Sequence, residues 1–472
     1  MTSARQTPDD EATAISLEPR DRESLRACLE RTLREMIRER ALRPGVRMPA
    51  SRTLARQLGV SRGVVSDAYT ELAAQGFLVS VARRAPLVAP VAPAAARRGR
   101  TGRPAQPPVR FDMTPTSPDT ALFPRARWAA ELADAARRAP ASALDYGDVR
   151  GSERLRAALA DELGRTRGVI CEPDQVIVVQ GATQGLDLAL RTLAGRGVGS
   201  VAVEDPSLDR QRLQIRALGL ALRAQPVDDE GVVVDGLNAD AVIVSPAHQY
   251  PTGAVLSGSR RRELIAWSRA TGSPVIEDDY DAEFRYDRQP VRALQGLHPD
   301  GVLYLGTTSK TLAPGLRLGW LVAPRHLVQD LAKTKALLDD GSPALEQLAF
   351  ASLLEHGHHQ RHIRRARALY RARRDRLVHA LAERFPSRRV SGVAAGLSVT
   401  LELDRTIDDL AVQRRARAAG IALEALSRYA IVDRGRRGLV LGYGRLHESA
   451  AQAAVHALSD AVGAQARLQP RP

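Results

Sequence analysis

Apolar residues near the start of the chain recur at helical spacing: Leu25, Leu29, Leu33 and Ile37 stand four apart within residues 22–39. Pro44 and Gly45, in LRPGVRMP (42–49), break that helix. In SRTLARQLGVSRGVVSDAYTELAAQGFLVS (51–80), the pattern predicts a short helix capped by Ser51, with Leu54, Ala55 and Leu58 inward. Gly59 supplies a turn, and Ser61 caps a second helix with Val64, Val65, Ala68 and Leu72 on its buried face. FLVSVARRAPLVA (77–89) then alternates as a β-hairpin does, with Arg83 and Arg84 at the tip. Helix, tight turn, helix and hairpin together read as a winged helix-turn-helix.

The stretch APVAPAAARRGRTGRPAQPPV (89–109) has no hydrophobic period and reads as a linker. From residue 144 onward, short apolar runs alternate with helical segments. Strands are predicted at 176–179, 201–204, 241–245, 274–278, 302–306 and 318–323, with helices such as 185–193 and 260–271 between them. That alternation predicts an α/β domain with a mostly parallel sheet, whose ligand groups gather at the carboxyl ends of the strands. Polar residues do cluster at those ends: 181–184, Asp205, 248–250, 278–280 and 307–310.

At 472 residues the chain is too long for one ordinary core, and its 44% hydrophobic and 26% charged composition is that of a folded soluble protein. No apolar run approaches the roughly 18 residues of a membrane span, and the polar start MTSARQTPDDEATAIS does not read as a secretory leader. Two cysteines, Cys28 and Cys171, form neither a disulfide framework nor a zinc site unaided, so a cytoplasmic location is expected. The net charge of +15 is unevenly spread, with twelve arginines against Asp67 and Glu71 in residues 41–110. Such a window is the footprint of a nucleic-acid binder, although charge alone does not separate it from a solvated arginine-rich surface.

Against this arginine background, lysine is rare. Of 69 basic residues, three are lysine: Lys310, Lys333 and Lys335. Lys310 lies in GTTSKTLAPGLRLGW (306–320). An amine can deprotonate and form a Schiff base with a carbonyl; a guanidinium cannot. The aldehyde cofactor that needs such a lysine is pyridoxal 5′-phosphate, which also needs an acid on its pyridinium nitrogen and a phosphate cradle. Asp278 ends an apolar strand about 30 residues earlier, in the place such an acid takes. Thr307, Ser309 and Arg317 flank the lysine, and the turn Gly181-Ala182-Thr183 opens a helix whose N-terminal amides favour an anion.

Two resemblances run along the chain. Residues 48–80, MPASRTLARQLGVSRGVVSDAYTELAAQGFLVS, resemble the GntR family of winged helix-turn-helix regulators. That resemblance implies that Arg52 and the turn at Ser61 meet the phosphate backbone of promoter DNA. It also sets Arg62 at the start of the recognition helix, where it reaches base edges or adjacent phosphates. The family's wing tip is usually glycine-rich, so contact by Arg83 and Arg84 in the minor groove is a separate expectation. Further on, YGDVRGSERLRAALADELGRTRGV, QGATQGLDLALRTL, EDPSLDRQR, SPAHQYPTG, IEDDYDAEFRY and TSKTLAPGLRLGW occur in order. They resemble fold-type-I aminotransferases, specifically the aminotransferase-like half of MocR-type GntR regulators, over roughly residues 110–460.

The resemblance implies Lys310 as the internal aldimine, Asp278 on the pyridine nitrogen and Tyr280 on the cofactor's phenolic oxygen. It assigns the phosphate to Arg317, Thr307, Ser309 and the Ala182–Thr183 turn, with Tyr146 reaching the partner subunit's cofactor in a homodimer. The domains expected are a head at 18–88, the linker at 89–109 and an aminotransferase-like domain at 110–472, its small subdomain beginning at about 345. Three departures stand out. Leu208 occupies the place of an aromatic ring that stacks on the cofactor, and Tyr250-Pro251-Thr252-Gly253 replaces Asn-Pro-Thr-Gly. Val440 aligns with the arginine that clamps a substrate α-carboxylate, with Arg434, Arg436, Arg437 or Arg445 as possible substitutes. His248 and His326 lack metal-ligand spacing and read as structural; EHGHHQRH (355–362) reads as a solvent-facing helix, and no metal is expected.

The expectation is a transcriptional regulator that senses pyridoxal phosphate, or an amine condensing with it, by shifting an open–closed equilibrium. The alternative is a working aminotransferase with an appended DNA-binding head. The sequence does not disclose the operator, the regulated gene or the amine.

Overall fold

The computed structural model describes residues 15–21, 23–82, 84–90, 108–286 and 291–466. They fall into two compact units, one within residues 1–106 and the other within 107–472.

In the first unit, helix α1 (Leu25–Arg38) buries Cys28, Leu29, Leu33 and Ile37. Helix α2 (Ser51–Leu58) ends on Gly59, whose φ of 67° is the left-handed conformation a tight turn requires. Helix α3 (Arg62–Ala74) starts at Ser61, whose hydroxyl accepts the Val64 amide at 3.3 Å. Ser51, expected to cap α2, is instead its first helical residue; Ala50 stands at the cap and offers no side-chain acceptor. Strands β1 (Leu78–Val81) and β2 (Arg84–Val88) pair antiparallel, and Phe77, Leu78 and Val88 close the core over α1 and α3. Arg84 opens β2 opposite Val81, while Arg83 lies outside the described residues, as do residues 91–107 of the expected linker.

The second unit starts with β3 (Phe111–Asp112), helix α4 (Arg125–Arg138) and helix α5 (Glu153–Arg167). Then come β4 (Val176–Val179), α6 (Ala182–Gly195), β5 (Ser200–Asp205), α7 (Asp209–Ala217), β6 (Ala221–Asp228) and β7 (Gly231–Val232). They are followed by β8 (Ala241–Val244), α8 (Gly258–Thr271), β9 (Val275–Asp279), β10 (Val302–Thr307), β11 (Gly319–Val322), α9 (Arg325–Asp339) and α10 (Ala344–Glu355). Eight strands make one sheet in the order β4-β11-β10-β9-β8-β5-β6-β7, with only β11 and β7 antiparallel to their neighbours. All six predicted strands are present in it. Its central strands are buried on both faces, by α6 and α9 on one side and by α4, α5, α8 and α10 on the other.

Helix α11 (His358–Arg384) runs on to a second, four-stranded sheet. That sheet combines β12 (Val390–Ser391), β13 (Ser398–Leu403), β15 (Glu424–Ala425) and β16 (Arg437–Gly442). Helices α12 (Asp409–Ala418) and α13 (Ala451–Ala466) cover it, and β14 (Ile421–Ala422) pairs parallel with β3. The core under this sheet draws on Phe111, Met113, Phe284 and residues from Ala366 onward. Helix α10 belongs instead to the core with Trp128 of α4 and with Val178 and Trp320 of the large sheet, so the large core extends past residue 345. Among the described residues, no helix is long and apolar enough to cross a membrane.

Candidate functional site

Lys310 follows β10 in the turn before β11. Its neighbours hold that turn tightly: the Thr308 amide and hydroxyl both donate to the Leu318 carbonyl at 3.0 Å. The Thr307 hydroxyl donates to Ser309 Oγ at 2.9 Å and accepts the Ser309 amide at 3.1 Å. Lys310 itself makes no hydrogen bond or ion pair among the described residues. Burial pushes its ammonium below the ordinary lysine range, against the opposing pull of Asp281 and Asp278. An amine so placed is closer to its neutral, nucleophilic form than a surface lysine.

Asp278 lies next to the end of β9, buried, with Gln211 Nε2 donating to its Oδ2 at 3.0 Å. Its Oδ1 is buried and has no partner. Burial lifts the carboxyl to about 6, although Gln211 and Lys310 oppose the shift. Tyr280 follows on the same segment, and its hydroxyl lies 3.1 Å from His248 Nδ1, which also faces Asp281 at 3.0 Å. His248 is therefore part of this cluster and is held by two polar groups; its strand-end position in 248–250 pointed there, although the residue itself read as structural. Gln211 was likewise missed, although it sits in the EDPSLDRQR segment.

On the other side of the lysine turn, Gly181 precedes α6 with φ 82° and ψ 168°, a backbone state essentially reserved for glycine. The Arg317 guanidinium packs over it, donating to the Gln180 carbonyl at 2.7 Å. A Cβ at residue 181 would lie 2.9 Å from Arg317 Nη2, so the glycine keeps a cradle open between the turn and the guanidinium. Ala182 and Thr183 form the first turn of α6, with Thr183 Oγ1 accepting Arg210 Nη1 at 3.0 Å. The structure thus brings Lys310, Asp278, Tyr280, Thr307, Ser309, Arg317, Ala182 and Thr183 to the carboxyl ends of β4, β9 and β10. Tyr146 is not among them. It is 90% exposed and lines a cavity of about 1000 Å³ with Gly151, Arg156 and Gln347.

Leu208 and Val440 meet beside Tyr280 in one apolar cluster with Tyr250, Leu426 and Tyr429. The Tyr250 hydroxyl donates to that of Tyr429 at 2.8 Å. The expected stand-ins for a carboxylate clamp are engaged elsewhere: Arg434 faces Asp205, Arg436 faces Glu402 and Arg437 pairs with Asp433. Arg445 is the one of the four whose charge bears on Lys310, and it donates to the Pro118 carbonyl and Asp112.

The histidine run departs from expectation. His359 is buried with its Nε2 3.3 Å from Thr311 Oγ1, and His362 Nε2 donates to the Thr311 carbonyl at 2.8 Å. The run is only partly solvent-facing: Glu355, His356 and Arg361 are exposed, while His359 and His362 grip the residue after Lys310, because that face of the helix docks on the lysine turn. His356, His358 and Glu131 also approach one another within 4.8 Å, with Arg127 3.8 Å from Glu131.

In the first unit, Arg52, Ser61 and Arg62 are exposed at the start of α2 and the start of α3, and Arg84 is exposed at the hairpin.

Residues 25–88 match the family model described as bacterial regulatory proteins, gntR family, and residues 117–438 match aminotransferase class I and II. The HTH-type pyridoxine biosynthesis transcriptional regulator PdxR of Corynebacterium glutamicum is 34% identical over 453 residues, covering 95% of this chain and 98% of that protein. The probable rhizopine catabolism regulatory protein MocR of Rhizobium meliloti is 31% identical, covering 91% of this chain and 92% of that protein. Among solved structures, LysN, the α-aminoadipate aminotransferase of Thermus thermophilus, superposes with a TM-score of 0.69 at 26% identity, over 76% of this chain and 93% of that one. The cofactor these likenesses imply is pyridoxal phosphate. The buried Asp278 Oδ1 without a partner, the Gly181 cradle and the unengaged Lys310 amine fit that group. A winged helix-turn-helix fused to an aminotransferase-like domain, with relatives matched end to end, makes this chain a transcriptional regulator that belongs to the MocR-type subfamily of the GntR family.

Proposed function

We propose that this regulator registers pyridoxal phosphate, or an amine that condenses with it, at Lys310 and reports the event through promoter DNA bound by its head. The observation that carries this reading is the Lys310 amine itself: half-buried, without a bonding partner among the described residues, and within the electrostatic reach of Asp278, whose Oδ1 is unpartnered. When bound, pyridoxal phosphate supplies an aldehyde for a lysine amine and an electron-withdrawing ring. Asp278 offers a carboxylate to the ring nitrogen, Tyr280 a hydroxyl to the ring's phenolic oxygen, and the Lys310 amine its lone pair. Arg317, Thr307, Ser309 and the amides of Ala182 and Thr183 hold the phosphate, with Tyr146 serving the partner subunit's site in a homodimer. Arg52 and Ser61 meet the operator's phosphates, Arg62 its base edges or adjacent phosphates, and Arg84 its minor groove. A cytoplasmic location accords with both activities.

The apolar group formed by Leu208, Tyr250, Tyr429 and Val440 favours sensing over turnover, since it offers no cation to orient a substrate carboxylate. The test follows cofactor absorbance and operator binding together while the full-length protein is titrated with pyridoxal phosphate. Operator affinity is expected to change along the same saturation curve as the absorbance. Unchanged DNA binding at full cofactor occupancy would sink the sensing reading, and steady ketoacid production from amino donors would restore the enzyme alternative.

Two further outcomes are expected. Gly181→Ala forces a Cβ against Arg317 and a strained backbone at residue 181; equilibrium dialysis should show pyridoxal phosphate affinity reduced by about 1–3 kcal/mol, or roughly fivefold to 150-fold. The second concerns pH. The free protein's Asp278 carboxyl is lifted to about 6, so it is ionised above that pH and protonated below it. Only the carboxylate pairs with a protonated ring nitrogen, so cofactor affinity should be full above pH 6 and fall as pH drops through it. Asp278→Asn should bind more weakly at neutral pH and lose that step.

A further inference from the structure

Helix α11 carries nine arginines in 27 residues against two acids, Asp375 and Glu383. Its arginines divide by face. Arg367, Arg373 and Arg374 turn inward and are bonded to protein: to the Glu283 carbonyl, to Asp119, and to Asp375 with the Val393 carbonyl. Arg361, Arg364, Arg365, Arg371 and Arg376 are exposed, with Arg361 donating to the His356 carbonyl at 3.1 Å and Arg371 to the Tyr286 carbonyl; Arg384, at the end of the helix, is exposed and donates to Ser459 Oγ at 2.7 Å. At 3.6 residues per turn the first five fall within an arc of about 140°, and from first to last they span about 22 Å along the axis. Among the described residues none of these five has a carboxylate within salt-bridge distance. The two acids of the helix are already engaged, Asp375 by Arg374 at 2.6 Å and Glu383 by His379 at 3.2 Å.

Some exposed arginines elsewhere in the same unit have acidic partners, whereas Arg125, Arg216, Arg262 and Arg325 are exposed with none within salt-bridge distance among the described residues. On α4, Arg137 and Arg138 share Asp134; on α6, Arg191 pairs with Asp187; Arg154 pairs with Glu355. Like charges three and four residues apart oppose helix formation, so the α11 row is electrostatically unfavourable for the isolated protein. A polyanion lying along it removes that repulsion.

We propose that the outer face of α11 is a second contact surface for double-stranded DNA, which tracks the phosphates of duplex flanking the site held by the head. A duplex stretch of about 22 Å carries about six phosphates per strand, enough to meet five arginines. Duplex is favoured over an acidic protein because the head already tethers DNA to this chain, which makes the second contact effectively intramolecular. The contact is to phosphates alone, so it adds affinity and salt dependence without sequence preference.

This rests on the DNA-binding reading of the head, and the experiment separates the two. The full-length protein, and its R364Q/R365Q/R376Q variant, are measured on two duplexes carrying the sequence the wild-type protein selects from a random pool. One is trimmed to its footprint, the other extended by about 20 bp on each side, a little over 60 Å per arm at 3.4 Å per base pair. The three chosen arginines have no side-chain hydrogen bond among the described residues, and retained cofactor absorbance and melting temperature establish that the variant is intact. The trimmed duplex reports the head alone, and wild type and variant should bind it within about twofold of each other. On the extended duplex the wild type should bind more tightly and with a steeper salt dependence. The variant should lose that gain, its log–log salt slope falling by about 2.7 per protomer for three lost phosphate contacts. R364K/R365K/R376K, which keeps the charges, should restore it. A wild type that gains nothing from the flanks, a variant that keeps the full gain, or a variant equally weakened on both duplexes each overturns the proposal. Failure of both proteins on the trimmed duplex would instead indict the head.

Discussion

Lys310→Ala is expected to abolish covalent, borohydride-reducible attachment of pyridoxal phosphate and to uncouple operator binding from the cofactor. The other two lysines cannot substitute. Lys333 is exposed beside Asp330, and Lys335 is buried against Asp339, with both carboxylate oxygens 2.9 Å from its Nζ. A cationic amine locked in that pair has no free lone pair. Losing the covalent bond leaves only the phosphate and ring contacts, so retention should weaken by about a hundredfold or more, or about 2.8 kcal/mol. The head is a compact unit of its own, so the variant should still bind operator, at one affinity with and without cofactor. Mass spectrometry after borohydride reduction, run beside fluorescence anisotropy on operator DNA, reads both halves. A reduced adduct on Lys333 or Lys335 in the variant would contradict the assignment.

Asp279→Ala should be nearly as damaging, but to stability. Asp278 and Asp279 are neighbours on β9 and point to opposite faces of the sheet. The first looks into the candidate site; the second is buried against α5 and β10, where Arg167 Nε donates to its Oδ2 at 2.7 Å and the Tyr304 hydroxyl at 2.6 Å. Arg167 and Asp279 are 4% and 3% exposed at their side chains. Removing the carboxylate leaves a buried guanidinium without its counter-charge, which costs about 3–5 kcal/mol. Urea denaturation of the cofactor-free protein should show that loss in the transition of the large unit. Replacing both partners, as Arg167→Met with Asp279→Leu, should recover much of it, because no uncompensated charge remains. Equal losses in the single and double variants would show that the pair acts by something other than its charges.

The contrast between these two aspartates marks where sequence reasoning carries and where it stops. Central strands such as Ala241–Val244 and Val302–Thr307 are legible because a strand covered on both faces is largely apolar. Strand β6 (Ala221–Asp228) escaped because it runs near the sheet's edge, with Arg223 and Gln225 interrupting any apolar run. Lys310 was legible as a chemical anomaly in an arginine-rich chain, and Asp278 by its strand-end position. The grip of His359 and His362 on Thr311 was not legible. Helical spacing tells which residues share a face, but not that a turn 50 residues earlier in the chain will dock on it.

That grip gives α11 a mechanical character. One end of the helix is pinned to the residue beside Lys310, and its far half, with Tyr370, Leu377 and Leu381, is embedded under the four-stranded sheet. Twenty-seven residues make a rod of about 40 Å. A tilt of about 3° at the pinned end swings the other end by about 2 Å, more than a close-packed core absorbs without repacking. Small displacements at Thr311 are thus levered into the far sheet, and the gain of that lever is set by helix length alone.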